Sequence, residues 1–184
     1  MFNISPKSDL LTKTKSTILK LQKVEDALND RFYGLEKAIH CMILGAASFE
    51  PVIFIGPPGT AKSRLIRAFC ELAGISRFDG SSVGRDYYFE YLLTQFTEPS
   101  EIFGYLNLKS IAGQGKVTRD TGGMIQHAQV VFLDEVFNAS SAILNSLLTF
   151  MNERRFHDRG QVIDVAMKLL FAATNRPPQE ANLD

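Results

Sequence analysis

The sequence predicts a three-layer α/β domain with a parallel sheet at its centre. Short apolar runs, which have the character of buried strands, alternate along the chain with stretches of helical periodicity, and this alternation is typical of a parallel sheet covered by helices. Three of the runs, at residues 52–55, 130–133 and 167–173, end in polar residues. With 184 residues, the chain is long enough to bury one ordinary hydrophobic core.

Residues 1–30 predict a basic helical arm ahead of an α/β domain that occupies residues 31–184. Apolar side chains recur in the arm at the spacing of one helix face: Ile18, Leu21, Val24 and Leu28. Lysines occupy other positions of the same helix: Lys13, Lys15, Lys20 and Lys23. These lysines form either a solvated face or a docking surface for a partner, and the sequence leaves both interpretations open.

A second helix and the first strand follow a break in the pattern at residues 30–34. The apolar stripe of this helix consists of Leu35, Ile39, Met42 and Ile43. Residues 52–55 then form a short run of β-branched and aromatic residues, which predicts a strand.

The turn after the first strand has the composition of a phosphate-binding loop. It is rich in glycine and proline and leads into Lys-Ser, in the order Gly56-Pro57-Pro58-Gly59-Thr60-Ala61-Lys62-Ser63. A strand, a glycine loop and a helix in this order direct backbone N–H groups and a helix N-terminus at a bound phosphate. Ala61 stands where the usual motif has its second glycine. We expect this replacement to cost little, provided that the φ angle of Ala61 is ordinary.

The helix after the loop has a clear apolar face, and the chain beyond it is more polar. That face consists of Leu65, Ile66, Phe69, Leu72 and Ala73, and Gly74 is a natural helix end. Residues 75–88 predict an exposed connection, and residues 88–93 a second strand. Thr97, followed by a proline and acidic residues, predicts the cap of another helix.

Residues 104–123 are rich in glycine and carry Lys109, Lys116 and Arg119 between short β-prone pieces. This composition predicts a mobile hairpin or loop inserted into the domain. The sequence fits an ordinary surface hairpin and a functional one equally well.

The last third of the chain predicts two more buried strands with a helix and a hairpin between them. Residues 130–133 form a continuous apolar run, as expected of a strand buried on both faces. The helix that follows has an apolar side made of Ile143, Leu144, Leu147, Leu148 and Met151. Residues 156–165, with Gly160 near the middle, predict a hairpin, and residues 167–173 predict a strand that ends in Thr174 and Asn175.

The polar residues at the strand ends form the predicted active site. Because the carboxyl ends of parallel strands meet at one edge of a sheet, these residues can converge on one nucleotide. Lys62 can reach the β- and γ-phosphates, while Ser63 and Asp134 can hold Mg²⁺. Glu135 can polarise the attacking water, and Asn175 can contact the γ-phosphate or that water. As alternatives, the two acids could only complement a helix dipole, and Asn175 could be a turn residue before the prolines.

Composition restricts the class of protein. Lys and Arg number 20 and so do Asp and Glu, and this zero net charge argues against a nucleic acid or an anionic membrane as partner. Cys41 and Cys70 lack C-x-x-C spacing, and we expect both to be reduced, buried thiols. We expect a cytoplasmic protein, since no apolar run is long enough to cross a membrane and no signal peptide is evident. The three histidines lack metal-ligand spacing and are expected to be structural.

Three of these stretches resemble the motifs of a known family. Residues 56–63, 130–135 and 171–175 look like the Walker A, Walker B and sensor 1 motifs of AAA+ ATPases. The finer similarity is to the MoxR branch, and within it to RavA-like proteins, in which alanine before the lysine is usual. Three further segments carry that similarity: Phe-Leu-Asp-Glu-Val-Phe-Asn-Ala at 132–139, Ile-Leu-Asn-Ser-Leu-Leu at 143–148 and Met-Asn-Glu-Arg-Arg-Phe at 151–156.

The resemblance implies a P-loop AAA+ core that binds ATP and Mg²⁺ and carries two additions. These are an insert in the second helix, which matches residues 104–123, and a hairpin before sensor 1, which matches residues 155–165. Tyr33 and Gly34 would correspond to the segment that contacts adenine, although Phe32 and Tyr33 could equally pack in the core. The family forms homo-oligomeric rings, usually hexamers, with ATP between subunits. It acts as a chaperone-like remodeller, often beside partners with a von Willebrand factor A domain.

The resemblance also implies segments beyond sensor 1. A ring ATPase is expected to continue into a fifth strand, an arginine finger and a helical lid, whereas the sequence reaches only Asp184. We therefore expect an incomplete or minimal core that lacks the lid and turns over slowly by itself. Arg154, Arg155 and Arg176 are the candidates for a substitute finger.

Three functional hypotheses remain at this point. The leading hypothesis is an ATP-hydrolysing module of MoxR/RavA type that remodels protein partners. The second is a non-catalytic module in which ATP only controls assembly or interaction. The third is a DNA-dependent motor, which the zero net charge disfavours and the basic residues of the 104–123 segment favour.

Overall fold

The computed structural model describes residues 7–78, 87–108, 110, 117–158 and 161–176. The helices that build the domain are α1 (Lys7–Arg31), α2 (Glu36–Ser48), α3 (Lys62–Leu72), α4 (Pro99–Phe103) and α5 (Ser141–Glu153). The strands are β1 (Val52–Ile55), β2 (Ser76–Arg77), β3 (Tyr87–Leu92), β4 (Val130–Asp134), β5 (Arg155–Asp158), β6 (Gln161–Asp164) and β7 (Leu169–Thr174). The predicted alternation of strands and helices is confirmed.

Five strands form one parallel sheet in the order β1-β7-β4-β3-β2. The central strands β4 and β7 are buried along nearly their whole length, which explains their continuous apolar sequence. Since every strand runs in the same direction, the carboxyl ends of β1, β4 and β7 lie at the same edge of the sheet.

Separate hydrophobic cores cover the two faces of the sheet, giving the predicted three layers. Helices α1, α2 and α3 pack on one face against Phe54, Phe132 and Phe171. The other core contains residues of α4 and α5 together with Val131 and Leu133 of β4. The alternation of β4 residues between the two cores follows from the two-residue period of a strand.

Helix α1 contacts the domain through only part of its length. Leu28 is fully buried, and Leu21 and Val24 pack against the same core as α2 and α3. A hydrogen bond of 2.8 Å between His40 Nδ1 and Glu25 Oε1 joins α1 to α2. Every residue from 12 to 20 is exposed.

Within the described part of the chain, no helix combines the length and the apolar composition that crossing a membrane requires.

Two local predictions before residue 104 need correction. The segment predicted as an exposed connection contains β2, an exposed two-residue edge strand that pairs with β3, and residues 79–86 of that segment lie outside the described residues. Glu98, rather than Thr97, caps α4, because the side chains of Glu98 and Glu101 each bond the other's backbone N–H in a capping box. The Thr97 hydroxyl instead accepts a hydrogen bond of 2.9 Å from the Thr94 backbone N–H.

The buried side of α5 also differs from the predicted one. Ile143, Leu147 and Phe150 are buried, whereas the Leu148 side chain is 53% exposed. A stripe through residues 143, 147 and 150 keeps the spacing of three and four that holds one helix face against a neighbour. Leu148 is one position past Leu147 and therefore points about 100° away from it.

The ends of the 104–123 segment lie side by side. Leu106 and Arg119 form an antiparallel bridge, and the Asn107 N–H donates to Thr118 O over 2.8 Å. Gly104 has a φ of 96°, in the region that favours glycine, and its backbone lies against Asp120. Lys109 and Lys116 lie outside the described residues, so the basic stripe predicted there is not described.

The predicted hairpin is formed by β5 and β6, which pair antiparallel. The Phe156 ring of β5 stacks on Phe103, with 4.7 Å between the ring centroids. Phe103 is the last residue of α4, so this contact places the hairpin beside the start of the 104–123 segment. Gly160 lies outside the described residues.

The two cysteines differ in environment. Cys70 is fully buried, and burial raises the pKa of its thiol to about 12, so it stays protonated. Cys41 is exposed, which corrects the expectation that both thiols are buried. Both are free thiols.

Candidate functional site

The phosphate-type loop is held at the carboxyl ends of β1 and β7. The Gly56 backbone N–H donates to Thr174 O over 3.2 Å, which ties the start of the loop to the end of β7. The Thr60 hydroxyl donates to Pro57 O over 2.9 Å and closes the turn. Pro57, Pro58, Gly59 and Thr60 are exposed, so the loop is open to solvent.

Ala61 adopts the left-handed conformation, with a φ of 61° and a ψ of 17°. This corrects the expectation of an ordinary φ. The chain must turn sharply between the exposed loop and the first residue of α3, and the position that makes this turn is the one that is usually glycine. For an L-residue such as alanine this conformation costs about 1–2 kcal/mol.

Replacing Ala61 with glycine is therefore expected to raise the free energy of unfolding by about 0.5–1 kcal/mol. The relief of strain exceeds the additional entropy that glycine gives to the unfolded chain. Thermal and urea denaturation measure the change. The control is Ala47→Gly at an exposed position of α2, which should instead lose about 1 kcal/mol. Destabilisation by Ala61→Gly would contradict the left-handed assignment.

Lys62, the first residue of α3, lies folded over the loop. Its ammonium group donates to Gly56 O over 2.7 Å and to Pro57 O over 3.0 Å. It also donates to Asn175 Oδ1 over 2.9 Å, so it spans the ends of β1 and β7. This arrangement brings together two residues that are 113 positions apart in the chain.

Ser63 and Asp134 are in direct contact. The Ser63 hydroxyl donates to Asp134 Oδ2 over 2.6 Å, and the other carboxylate oxygen accepts from the Glu135 N–H over 3.0 Å. A hydroxyl and a carboxylate are the hard oxygen ligands that Mg²⁺ prefers. No group of three His, Cys, Asp or Glu residues that could bind a metal occurs among the described residues. A cation here would therefore need oxygens from water or from a bound phosphate in addition to these two side chains.

Glu135 is held beside Asn175. Its carboxylate accepts a short hydrogen bond from the Asn175 side-chain amide and one of 3.4 Å from the Asn175 backbone N–H. Like Ala61, Glu135 is left-handed, with a φ of 54°. Non-glycine residues in this region often mark functional sites, because the surrounding fold must maintain the strain.

One interaction of this site and one outside it were missed by sequence reasoning. The Asn138 amide donates to Glu135 Oε2 over 3.4 Å from the short turn after β4. Arg67 of α3 bonds Glu90 of β3 through two of its nitrogens. A charged residue inside the aromatic run of β3 was a signal that could have indicated the second interaction.

The predicted adenine-contacting residues are separate from this cluster. Tyr33 is fully exposed, and Gly34 has a φ of 78° and donates its N–H to Glu36 Oε1 over 3.1 Å. Phe32 is a core residue, 7% exposed, with the Arg64 guanidinium 5.8 Å from its ring centre. In the described chain, no hydrogen bond joins Tyr33 or Gly34 to the loop.

The candidates for a substitute arginine finger have structural contacts of their own. Arg154 donates to Met167 O over 2.6 Å, and Arg155 Nε lies 3.7 Å from Asp164. The Arg176 backbone interacts with the Thr174 hydroxyl at the end of β7.

Comparison with known proteins agrees with this geometry. A family described as the MoxR domain of the MoxR-vWA-beta-propeller ternary systems matches residues 19–184. The chain belongs to this MoxR family. The matched range begins within α1 and includes the loop, the Asp134-Glu135 pair and Asn175.

Relatives of this MoxR domain extend beyond the segment that matches. An uncharacterized protein of Methanocaldococcus jannaschii is 37% identical over 89% of this chain, which spans 40% of that protein. The chaperone protein ClpB of Oceanobacillus iheyensis is 28% identical over 88% of this chain and 21% of ClpB. A solved structure of an ATPase candidate from Cytophaga hutchinsonii has a TM-score of 0.64 and 18% identity, covering 94% of this chain and 48% of that one. This last similarity shows that the two chains share a fold.

Proposed function

We propose that this MoxR domain binds ATP with Mg²⁺ and hydrolyses it to remodel protein partners, as a RavA-type AAA+ module. The observation that carries the proposal is the convergence of Lys62, Ser63, Asp134, Glu135 and Asn175 at one sheet edge. Each has the chemistry that phosphoryl transfer to water requires.

Each residue has a role in the proposed reaction. Lys62 leaves its carbonyl partners to bind the β- and γ-phosphate oxygens, and the loop N–H groups bind the rest of the phosphate chain. Ser63 and Asp134 would hold Mg²⁺, which shields the phosphate charge when bound. Glu135 orients the attacking water and accepts its proton, and Asn175 positions both that water and Glu135.

The family supports a proposal for the assembly and the partners. The name of the family includes a von Willebrand factor A component, and we propose a protein with this domain as the partner. We propose that the whole protein forms a ring with ATP between its subunits, near Tyr33 and Gly34. The chaperone function of ClpB supports remodelling as the output.

Calorimetry tests nucleotide binding. We expect the chain to bind ATP more tightly with Mg²⁺ than with EDTA. Lys62→Ala should weaken binding by at least about tenfold, because a charge-assisted contact to phosphate contributes about 1.5–3 kcal/mol. Lys37→Ala, at an exposed position of α2, is the control for loss of one positive charge. Equal binding by Lys62→Ala and wild type would refute the site.

One observation favours a second candidate function, nucleotide-gated assembly without turnover. The Glu135 carboxylate accepts three hydrogen bonds from Asn175 and Asn138, which leaves it little capacity to accept one from a water. A module whose Glu135 stays turned towards these amides with ATP bound would switch conformation but not hydrolyse ATP. Two measurements distinguish the candidates. Sedimentation with ADP and with a non-hydrolysable ATP analogue reports assembly, and a phosphate-release assay with ATP reports turnover. Assembly with the analogue and no phosphate release supports the second candidate.

A further inference from the structure

An ion pair outside the predicted site joins α3 to the sheet. Arg67 Nε lies 2.9 Å from Glu90 Oε1, and Arg67 Nη2 lies 2.5 Å from the same oxygen. A third contact of 3.2 Å reaches Glu90 Oε2. This multiple contact fixes both the distance and the angle between the two side chains, which a lysine could not do.

The carboxylate of this pair has an unusual location. Glu90 is in the middle of β3, and its side chain is only 10% exposed. Removing a carboxylate from water is costly unless a cation and hydrogen bonds compensate for the lost hydration. The hydrogen bond to Glu90 is also the main cause that raises the pKa of Arg67 above its ordinary value.

The position of the pair relates it to the candidate metal site. Arg67 is four residues, about one turn, after Ser63 and therefore lies on the same face of α3. Glu90 is two residues before Leu92, which lies beside Asp134 on the neighbouring strand. Helix α3 is thus joined to the sheet at two successive turns, by Ser63–Asp134 and by Arg67–Glu90.

The first of these two contacts would be part of the metal site itself. The Ser63 hydroxyl can bind Mg²⁺ through an oxygen lone pair while it still donates its proton to Asp134, so this contact and the cation would share the same atoms. The Arg67–Glu90 pair involves neither of these groups and can hold α3 against the sheet independently of the cation.

We propose that Arg67 and Glu90 are positioning residues, which hold the first turn of α3 against the sheet while Ser63 and Asp134 bind Mg²⁺. This inference rests on the proposed nucleotide-binding function. With the pair intact, the Ser63 oxygen stays within reach of a cation beside Asp134. Without it, the start of α3 moves away from β4, and a metal site opened by even 1 Å loses much of its affinity.

The test compares ATP binding with Mg²⁺ and with EDTA for variants of the pair. Arg67→Ala should weaken binding with Mg²⁺ by about tenfold and change binding with EDTA by less than about threefold. Arg67→Lys keeps one charged contact to Glu90 and should recover part of the loss. The matched control is Glu71→Gln on the same helix, whose ion pair with Arg31 spans 3.3 Å on the surface and should leave both affinities unchanged.

A second variant addresses folding, because Arg67→Ala leaves a buried charge without its partner. The double replacement Arg67→Met with Glu90→Gln removes both charges, and it should show the same selective loss of binding with Mg²⁺. A purely structural pair would lower the melting temperature and leave both affinities of the folded protein unchanged. That result, or an equal loss with Mg²⁺ and with EDTA, would overturn the inference. Failure of the wild-type chain to bind ATP would refute the proposed function instead.

Discussion

Replacing Glu135 with glutamine should leave the binding of ATP and Mg²⁺ within about threefold of wild type and reduce phosphate release by at least about 100-fold. Glutamine has the size of glutamate and keeps one oxygen that accepts from the Asn175 N–H and from Asn138, but it loses the acceptor of the Asn175 side-chain amide. It cannot accept a proton from water. The shape of the site and two of its three hydrogen bonds are therefore kept, while the group that activates the nucleophile is lost.

Single-turnover phosphate release, with protein in excess over ATP, is the appropriate measurement because it reports the chemical step without product release. The control is Glu50→Gln, the same change two residues before the start of β1 and thus near the opposite edge of the sheet. Normal phosphate release by Glu135→Gln would refute the role of Glu135. Loss of binding would instead show that the carboxylate has a structural role in the loop.

Replacing Gly104 with alanine should destabilise the domain by about 2–5 kcal/mol. Its φ of 96° is unfavourable for any L-residue, which costs about 1–2 kcal/mol. In addition, a Cβ atom at this position would lie 2.1 Å from Asp120 O, a backbone atom that cannot rotate away. Relieving such an overlap costs about 1–3 kcal/mol. Urea denaturation measures the loss.

Gly74 provides the matched control for strain without overlap. It has a φ of 72°, and a Cβ there would meet nothing within 4 Å. Gly74→Ala should therefore lose only about 1 kcal/mol. Equal losses at the two positions would show that the contact between Gly104 and Asp120 does not restrict the base of the 104–123 segment.

The sequence was most informative where chemistry depends on neighbouring residues. The loop at residues 56–63 is recognisable because its glycines, lysine and serine must follow one another to surround a phosphate. Asp134 and Asn175 were predicted to meet at one edge because each follows an apolar strand, and parallel strands end at the same edge. The structure places both residues there, next to Ser63 and Lys62 respectively.

The sequence was least informative where long-range contacts decide the outcome. The left-handed φ of Ala61 was missed because alanine itself does not indicate it, although the usual motif has glycine at this position. Strand β2 has only two residues, too few to show any period. Arg67 and Glu90 are 23 positions apart, so their pairing could be found only from the fold.

The resting contacts of Lys62 have a consequence for selectivity among anions. An ammonium group has three donors, and three oxygen atoms of the chain lie within 3.0 Å of this one. An entering anion must displace these internal competitors before it gains a contact with the lysine. A single phosphate ion offers few other contacts in return, whereas a triphosphate also reaches the loop N–H groups and Ser63. In the proposed site, a triphosphate therefore gains enough contacts to replace the three hydrogen bonds that Lys62 gives up, whereas a small anion does not.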